Sequence, residues 1–429
     1  MTAQPVLTFT TSGTTRRAAQ IIVLCLVFLI VLFSTGNFAP GLISQDNDGQ
    51  LQQIIAEALW FIVVALSLPS ARLDRVIWDR RVGLFVIFIF YVVLSALWAG
   101  TGSRAKGLVL GFNVFALFLL ILTQKAEEVI NTLIAGLFAL IVLSLVLVVA
   151  RPDIAVVDDF QHPGQWAGIF DQKQELGITS AILFYVSSMR LTARSGTVWR
   201  LYHVTVCAVA FTAMAGAGSR GGAVLTVLSV VLGLLSTRSP TLTRMLTLMP
   251  ILSAAISGLF FCMLWSSGRD VLDFGGFEVD FTDRTRIWKH ALDWMTNESA
   301  IFGYGLNGFW TRKDVLDAFM GSHEWVLDNY HNGYLGILCD CGFIGIVLFL
   351  SSVFALVGQN LTGTPGTTAM KTLMVGFLAL FAVINITETY LLRSTSVSSI
   401  MFFFCMLYLF ATDPDDAPNR LPPSRFAVQ

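Results

Sequence analysis

The sequence predicts an all-α polytopic membrane protein of about twelve transmembrane helices, with a large, partly helical outer loop between the ninth and tenth spans. Three observations carry this. Of 429 residues, 55% are hydrophobic and 13% charged, and mean hydropathy is +0.72. Soluble domains carry about 25% charged residues and do not sustain such hydropathy. Apolar runs of about 17 to 22 residues recur along the chain, each long enough to cross roughly 30 Å of hydrocarbon. One hydrophilic stretch of any size, residues 266–331, interrupts them.

The expected spans lie near residues 19–36, 51–68, 82–99, 107–123, 129–150, 175–190, 200–217, 220–236, 245–265, 332–357, 371–388 and 395–411. No cleavage-site pattern follows the first run, so it reads as a retained span. The sixth, "ELGITSAILFYVSSM", is short and weakly apolar, and a partly re-entrant segment is an alternative. The division is a tail at 1–18, nine spans at 19–265, the loop 266–331, three spans at 332–411 and a tail at 412–429.

Lys and Arg in the short loops set the orientation. With the N-terminus in the cytoplasm, the inner segments hold fifteen: Arg16, Arg17, Arg72, Arg75, Arg80, Arg81, Lys125, Arg190, Arg194, Arg200, Arg238, Arg244, Lys371, Arg420 and Arg425. The short outer segments hold six: Arg104, Lys106, Arg151, Lys173, Arg220 and Arg393. Both termini are therefore expected inside, and segments 151–174 and 266–331 outside. The latter carries His290, His323, His331 and several tryptophans, and is expected to form a cap over the bundle. Cys25, Cys207, Cys262, Cys339, Cys341 and Cys405 read as small packing residues. Cys339 and Cys341 project about 200° apart on a helix and cannot easily pair. The net charge of −1 does not select or exclude an anionic partner, and no nucleotide loop, repeat or metal-ligand spacing is present.

Charges that break the orientation rule are informative. In "AGAGSRGGAVLTVLSVVLGLL" (215–235), Ser219 is a candidate N-cap and Arg220 falls in the first helical turn. A cation is locally disfavoured at a helix N-terminus unless an anion sits over it; such a start then makes a phosphate site. Snorkelling to lipid headgroups is the alternative. In "FEVDFTDRTRIWKHALDWM" (277–295), helical spacing with Thr282 or Asp283 as cap places Arg284 and Arg286 in the first turn. Arg284 and Trp288 share a face, whereas Asp280 and Asp283 offer ordinary pairing partners. In "NYHNGYLGIL", His331 sits at the outward start of the tenth span, with Asp328 one turn earlier. Such a ring is a candidate base or a polar anchor. His290 and His323 are weaker candidates for the base. All three helix mouths face the same side, which suits a pyrophosphate-bearing substrate.

The same residues carry a resemblance to the O-antigen ligase and polysaccharide polymerase superfamily, and within it to the exopolysaccharide polymerase branch. "GQWAGIFDQKQELG" (164–177), "GSRGG" (218–222), "DRTRIWKHAL" (283–292), "IFGYGLNGFW" (301–310) and "HNGYLGILCDCGFIG" (331–345) resemble its motifs in order and spacing. Gln172 and Gln174 depart from the His and Asn that the branch shows around its Lys, which leaves the role of Lys173 open. The resemblance implies an inverting, metal-independent glycosyltransferase of a bacterial inner membrane, acting at the periplasmic face without a cofactor. The donor would be a glycan on undecaprenyl diphosphate, and the acceptor a saccharide. Arg220 and Arg284 would hold the diphosphate and His331 would be the base, with Arg286, Trp288, Asn332 and Lys173 in support. A flippase and a chain-length regulator of the same pathway would be partners, and nucleic acid would not. A ligase transferring glycan to lipid A core is the alternative within this chemistry. A transporter is the alternative outside it, for which Glu57 and Glu388 are the acidic residues near span interiors or ends.

Overall fold

The computed structural model describes residues 13–34, 50–71, 80–157, 163–192, 196–269, 271–273, 278–279, 284–323, 329–362, 369–393 and 396–411. It is an all-α polytopic bundle. Every expected span has a helical counterpart, beginning with α1 (Gly13–Phe33), α2 (Gln50–Ser67), α3 (Arg80–Ser95), α4 (Thr101–Thr123) and α5 (Ala126–Ala150). A one-turn α6 (Pro152–Ala155) and an antiparallel pair, β1 (Val156–Val157) and β2 (Gln165–Trp166), lead into α7 (Lys173–Thr192), α8 (Thr197–Ala217) and α9 (Arg220–Arg238). Among the described residues, seven helical segments are long and apolar enough to cross a membrane, and four shorter apolar helices accompany them.

The sixth expected span, α7, is a continuous 20-residue helix. Its low hydropathy has a packing reason. Leu176, Ile178, Ala181, Ile182, Leu183, Tyr185 and Val186 are buried, so this helix meets protein on most sides and needs no lipid-compatible surface. Gly177 and Gly222 let α9 approach it closely: a Cβ on Gly222 would stand 2.9 Å from the Gly177 carbonyl oxygen.

The ninth expected span divides into α10 (Pro240–Leu246) and α11 (Met249–Ser267). Each carries a proline at its start, where the missing N–H costs nothing, and Ser239 caps the first by accepting from the Leu242 amide at 3.4 Å. After a second short pair, β3 (Leu272–Asp273) and β4 (Glu278–Val279), the polar segment forms α12 (Arg284–Glu298) and α13 (Lys313–His323). The chain ends in α14 (Gly333–Thr362), α15 (Ala369–Thr387) and α16 (Val397–Ala411).

The polar segment has its own aromatic core, shared with α11 and α14. Trp288, Trp310, Phe309, Phe319 and Tyr330 are buried there with Phe261, Leu264 and Leu335. Trp288 and Trp310 are therefore anchors of a cap and not platforms for sugars. His290 packs against the same cluster, its ring stacked on Trp310 and its Nε2 3.2 Å from the Val315 carbonyl oxygen, and it does not line the cavity at His331. The side chain of His323, with Asp280, Thr282, Asp283, Trp325 and Asp328, lies outside the described residues. All six cysteines are free thiols.

α14 is broken at Gly342 (φ 65°, ψ −167°), and the loop 300–305 fills the break. Tyr304 and Gly305 amides donate to the Cys339 and Asp340 carbonyls at 2.8 and 2.7 Å, and Phe343 donates to Ala300 at 2.9 Å. Irregular backbone at this depth is thus paired within protein. A Cβ on Gly342 would lie 2.2 Å from the Ile301 carbonyl oxygen, and one on Gly303 would lie 2.5 Å from Asp340 backbone. Gly342→Ala is expected to destabilise by at least about 1–3 kcal/mol, from positive φ and the clash together. A thermal melt in detergent within a degree of wild type would contradict this.

Candidate active site

Two turns are locked against each other at one end of the bundle. Asn332 precedes α14 and is fully buried. Its Oδ1 accepts from the Tyr334 and Leu335 amides, both at 2.9 Å, the N-cap arrangement that satisfies otherwise unpaired donors. Its Nδ2 donates to the Ile386 carbonyl at 2.8 Å and to Ser257 Oγ at 3.3 Å. Its own amide donates to Thr389 Oγ1 at 3.1 Å. Asn385 answers from α15: its Oδ1 accepts from the Tyr390 and Leu391 amides at 3.0 and 2.9 Å, turning the chain immediately after Glu388. Gly333 permits the approach, since a Cβ there would stand 2.1 Å from Asn385 Oδ1.

His331 and Glu388 project from these turns. His331 has a left-handed φ of 47°, uncommon for a residue with a Cβ, and its amide donates to Asn329 Oδ1 at 2.8 Å. Trp288 Nε1 donates to the Tyr330 carbonyl at 3.0 Å, fixing the residue before it. The strain is held by these bonds, a pattern common at functional sites. Glu388 Oε2 stands 3.3 Å from His331 Nδ1, and Glu388 Oε1 accepts from Arg284 Nη2 at 2.7 Å. Arg284 is the first residue of α12, so a single carboxylate ties the cap to both span mouths. Burial pushes the Glu388 carboxyl up, but the hydrogen bond from His331 and the charge of Arg284 outweigh it and hold it below its usual range.

The cluster opens on a polar cavity of about 150 Å³. His331, Asn329 and Glu388 line one side, with Gln172, Gln174 and Glu175 at the start of α7 opposite. Arg393 also lines it, 3.8 Å from Glu175.

The expected site residues divide accordingly. Arg284 and His331 are brought together through Glu388. Trp288 and Asn332 support them as anchor and cap. Lys173 is buried and donates to Gln165 Oε1, so its ammonium is bound within the protein. Arg286 is half-buried on another face of α12. Arg220 opens α9 with Ser219 as its cap, the Gly222 amide donating to Ser219 Oγ at 3.1 Å. It is exposed and has no ion-pair partner among the described residues. It does not line the cavity, although its turn packs on α7 two residues beyond Glu175, where a Cβ on Gly177 would meet Ser219 at 2.4 Å.

Glu388 and Arg393 were accessible to sequence reasoning only as anomalies: an acid at the end of a span, and a base on the wrong side of the orientation count. Glu57, the other anomalous acid, lies within the bundle and accepts from Asn113 Nδ2 at 3.2 Å.

Apolar helices with an imidazole, a carboxylate and a guanidinium gathered at their mouth define a multi-pass membrane protein with a polar site set over the bundle. Residues 205–350 match the family described as O-antigen ligase, which supports a relationship of this segment to the O-antigen ligase and polymerase superfamily. That family implies a glycosyl-transferring enzyme of the ligase or polymerase type, acting on lipid-linked glycan donors and saccharide acceptors in a membrane. The matched segment runs from α8 into α14 and contains Arg220, Arg284 and His331, whereas Lys173 and Glu388 lie outside it. No curated protein matches the chain.

Proposed function

We propose that this protein is an inverting, metal-independent glycosyltransferase that polymerises exopolysaccharide repeat units from an undecaprenyl-diphosphate carrier at the periplasmic face of a bacterial inner membrane. The observation that carries the reading is the contact of one carboxylate, Glu388, with both His331 and Arg284. With Nδ1–H donated to Glu388, the other ring nitrogen of His331 is left as an acceptor. It takes the proton of the acceptor hydroxyl as that oxygen attacks the anomeric carbon. The bond from that carbon to the diphosphate breaks, and the carrier diphosphate leaves with the electron pair.

Charge therefore grows on phosphate oxygen, and stabilising it is the larger electrostatic task. The Glu388 contact engages only Nη2 of Arg284, and a guanidinium has five N–H donors, so others remain to meet the diphosphate. Arg393 in the cavity wall adds positive charge. Arg284→Lys keeps the charge but loses the fork that binds Glu388 and phosphate at once. It is expected to abolish polymer formation at equal expression. A fully active Lys variant would reduce Arg284 to a simple counter-charge.

A further inference from the structure

A second polar cavity, of about 350 Å³, lies at the opposite end of α12 from Arg284. Glu298, the last residue of that helix, lines it with Trp98, Tyr304, Thr311, Arg312 and Gly100. Fifteen helical residues span roughly 21 Å at about 1.5 Å per residue, so the two cavities are separate places joined by one rigid element. Both are walled by the same polar segment.

Its chemistry is not that of an anion site. Arg312 donates to Glu298 Oε2 at 2.9 Å through Nη1 and to Asp314 Oδ1 at 3.0 Å through Nε, so the cation already lies between two carboxylates. Its guanidinium also rests 5.1 Å from the Tyr304 ring centroid and 5.7 Å from that of Trp294. Trp98 donates its indole N–H to the Gly303 carbonyl at 3.2 Å, which fixes the ring edge, while the residue stays 43% exposed. A fixed aromatic face beside planar, mutually neutralised donors and acceptors suits a ligand with an apolar C–H face and a rim of hydroxyls. We infer that this cavity is a saccharide subsite, holding glycan at a distance from the transfer centre. The assignment of a glycan as ligand rests on the proposed function; the existence of the subsite rests on the cavity.

Gly100 gives a clean probe, because an added Cβ meets nothing within 4 Å and its φ of −52° suits any residue. Gly100→Cys, with the exposed Cys25 and Cys262 changed to Ser, would be labelled by a maleimide in the reconstituted full chain. Neutral oligosaccharides released by mild acid from the host's extracellular polysaccharide are expected to slow labelling several-fold, and inorganic pyrophosphate is not. Protection by pyrophosphate, or none by millimolar oligosaccharide, would overturn the inference. Gly100→Trp, at a lining position, should cut long-chain product several-fold relative to Gly102→Trp, at a position that does not line the cavity. Identical chain-length distributions would also overturn it. Labelling needs no turnover, so it still reads the subsite if the transfer reading itself fails; protection lost while His331→Ala still abolishes polymer would remove the subsite alone.

Discussion

His331→Ala is expected to reduce polymer formation by roughly 10² to 10⁴, the usual worth of a positioned general base. The protein should still insert and fold, because the ring itself contributes one contact, at 3.3 Å to Glu388, while the surrounding turn is held by Asn332, Asn329 and Trp288. The measurement is polymer yield in a strain carrying the variant, normalised to the amount of protein in the membrane. Substitution also relieves little of the backbone strain, since alanine at φ 47° is strained too. Loss of product therefore cannot be credited to a relaxed turn. Near-normal product at equal expression would remove His331 from the chemistry.

Glu388→Gln is the second large effect. Glutamine keeps the shape, yet it offers one acceptor oxygen where the carboxylate offers two, and it has no charge. Arg284 and His331 then compete for that oxygen, and a guanidinium whose side chain is only 18% exposed loses its counter-ion. Removing one member of such a pair costs about 3–5 kcal/mol when the pair is buried, and less to the extent that solvent reaches it. The expected outcome is loss of polymer comparable to His331→Ala together with a lowered melting temperature. The two readouts separate the roles: His331→Ala should cost activity far more than stability, whereas Glu388→Gln should cost both. Full activity in the Gln variant would leave Glu388 as a structural counter-charge only.

The sequence carries the fold well because the bilayer imposes length and hydropathy on its spans: among the described residues seven helical segments meet both requirements, and four shorter helices are apolar. α7 is the exception: it is surrounded by other helices, so it was under no pressure to look lipid-facing. The break in α14 was equally hidden. Gly342 sits in an unbroken apolar run, and only its long-range meeting with Gly303 explains its conformation. Of the site, the basic groups were legible because each sits at a helix start where positive charge is locally unfavourable. Glu388 was visible but weighed only in the transporter alternative and not joined to the site, since its partners lie 57 and 104 residues away in the chain and no local pattern links them. Lys173 shows the reverse failure, a cation in an outer segment whose ammonium the fold spends on Gln165.

The arrangement of a carboxylate beside an imidazole admits two chemistries that differ in one observable. If His331 is the base and Glu388 only orients it, the acceptor oxygen displaces the diphosphate in a single step. If the carboxylate itself attacked, a covalent glycosyl–Glu388 intermediate would form and two displacements would follow. The decisive measurement is the anomeric configuration, read by NMR, of the bond made by the reconstituted protein from a lipid-diphosphate-linked glycan of known configuration. The account predicts inversion at every bond formed. Retention of configuration, or a glycan attached to Glu388 in trapped protein, would contradict it.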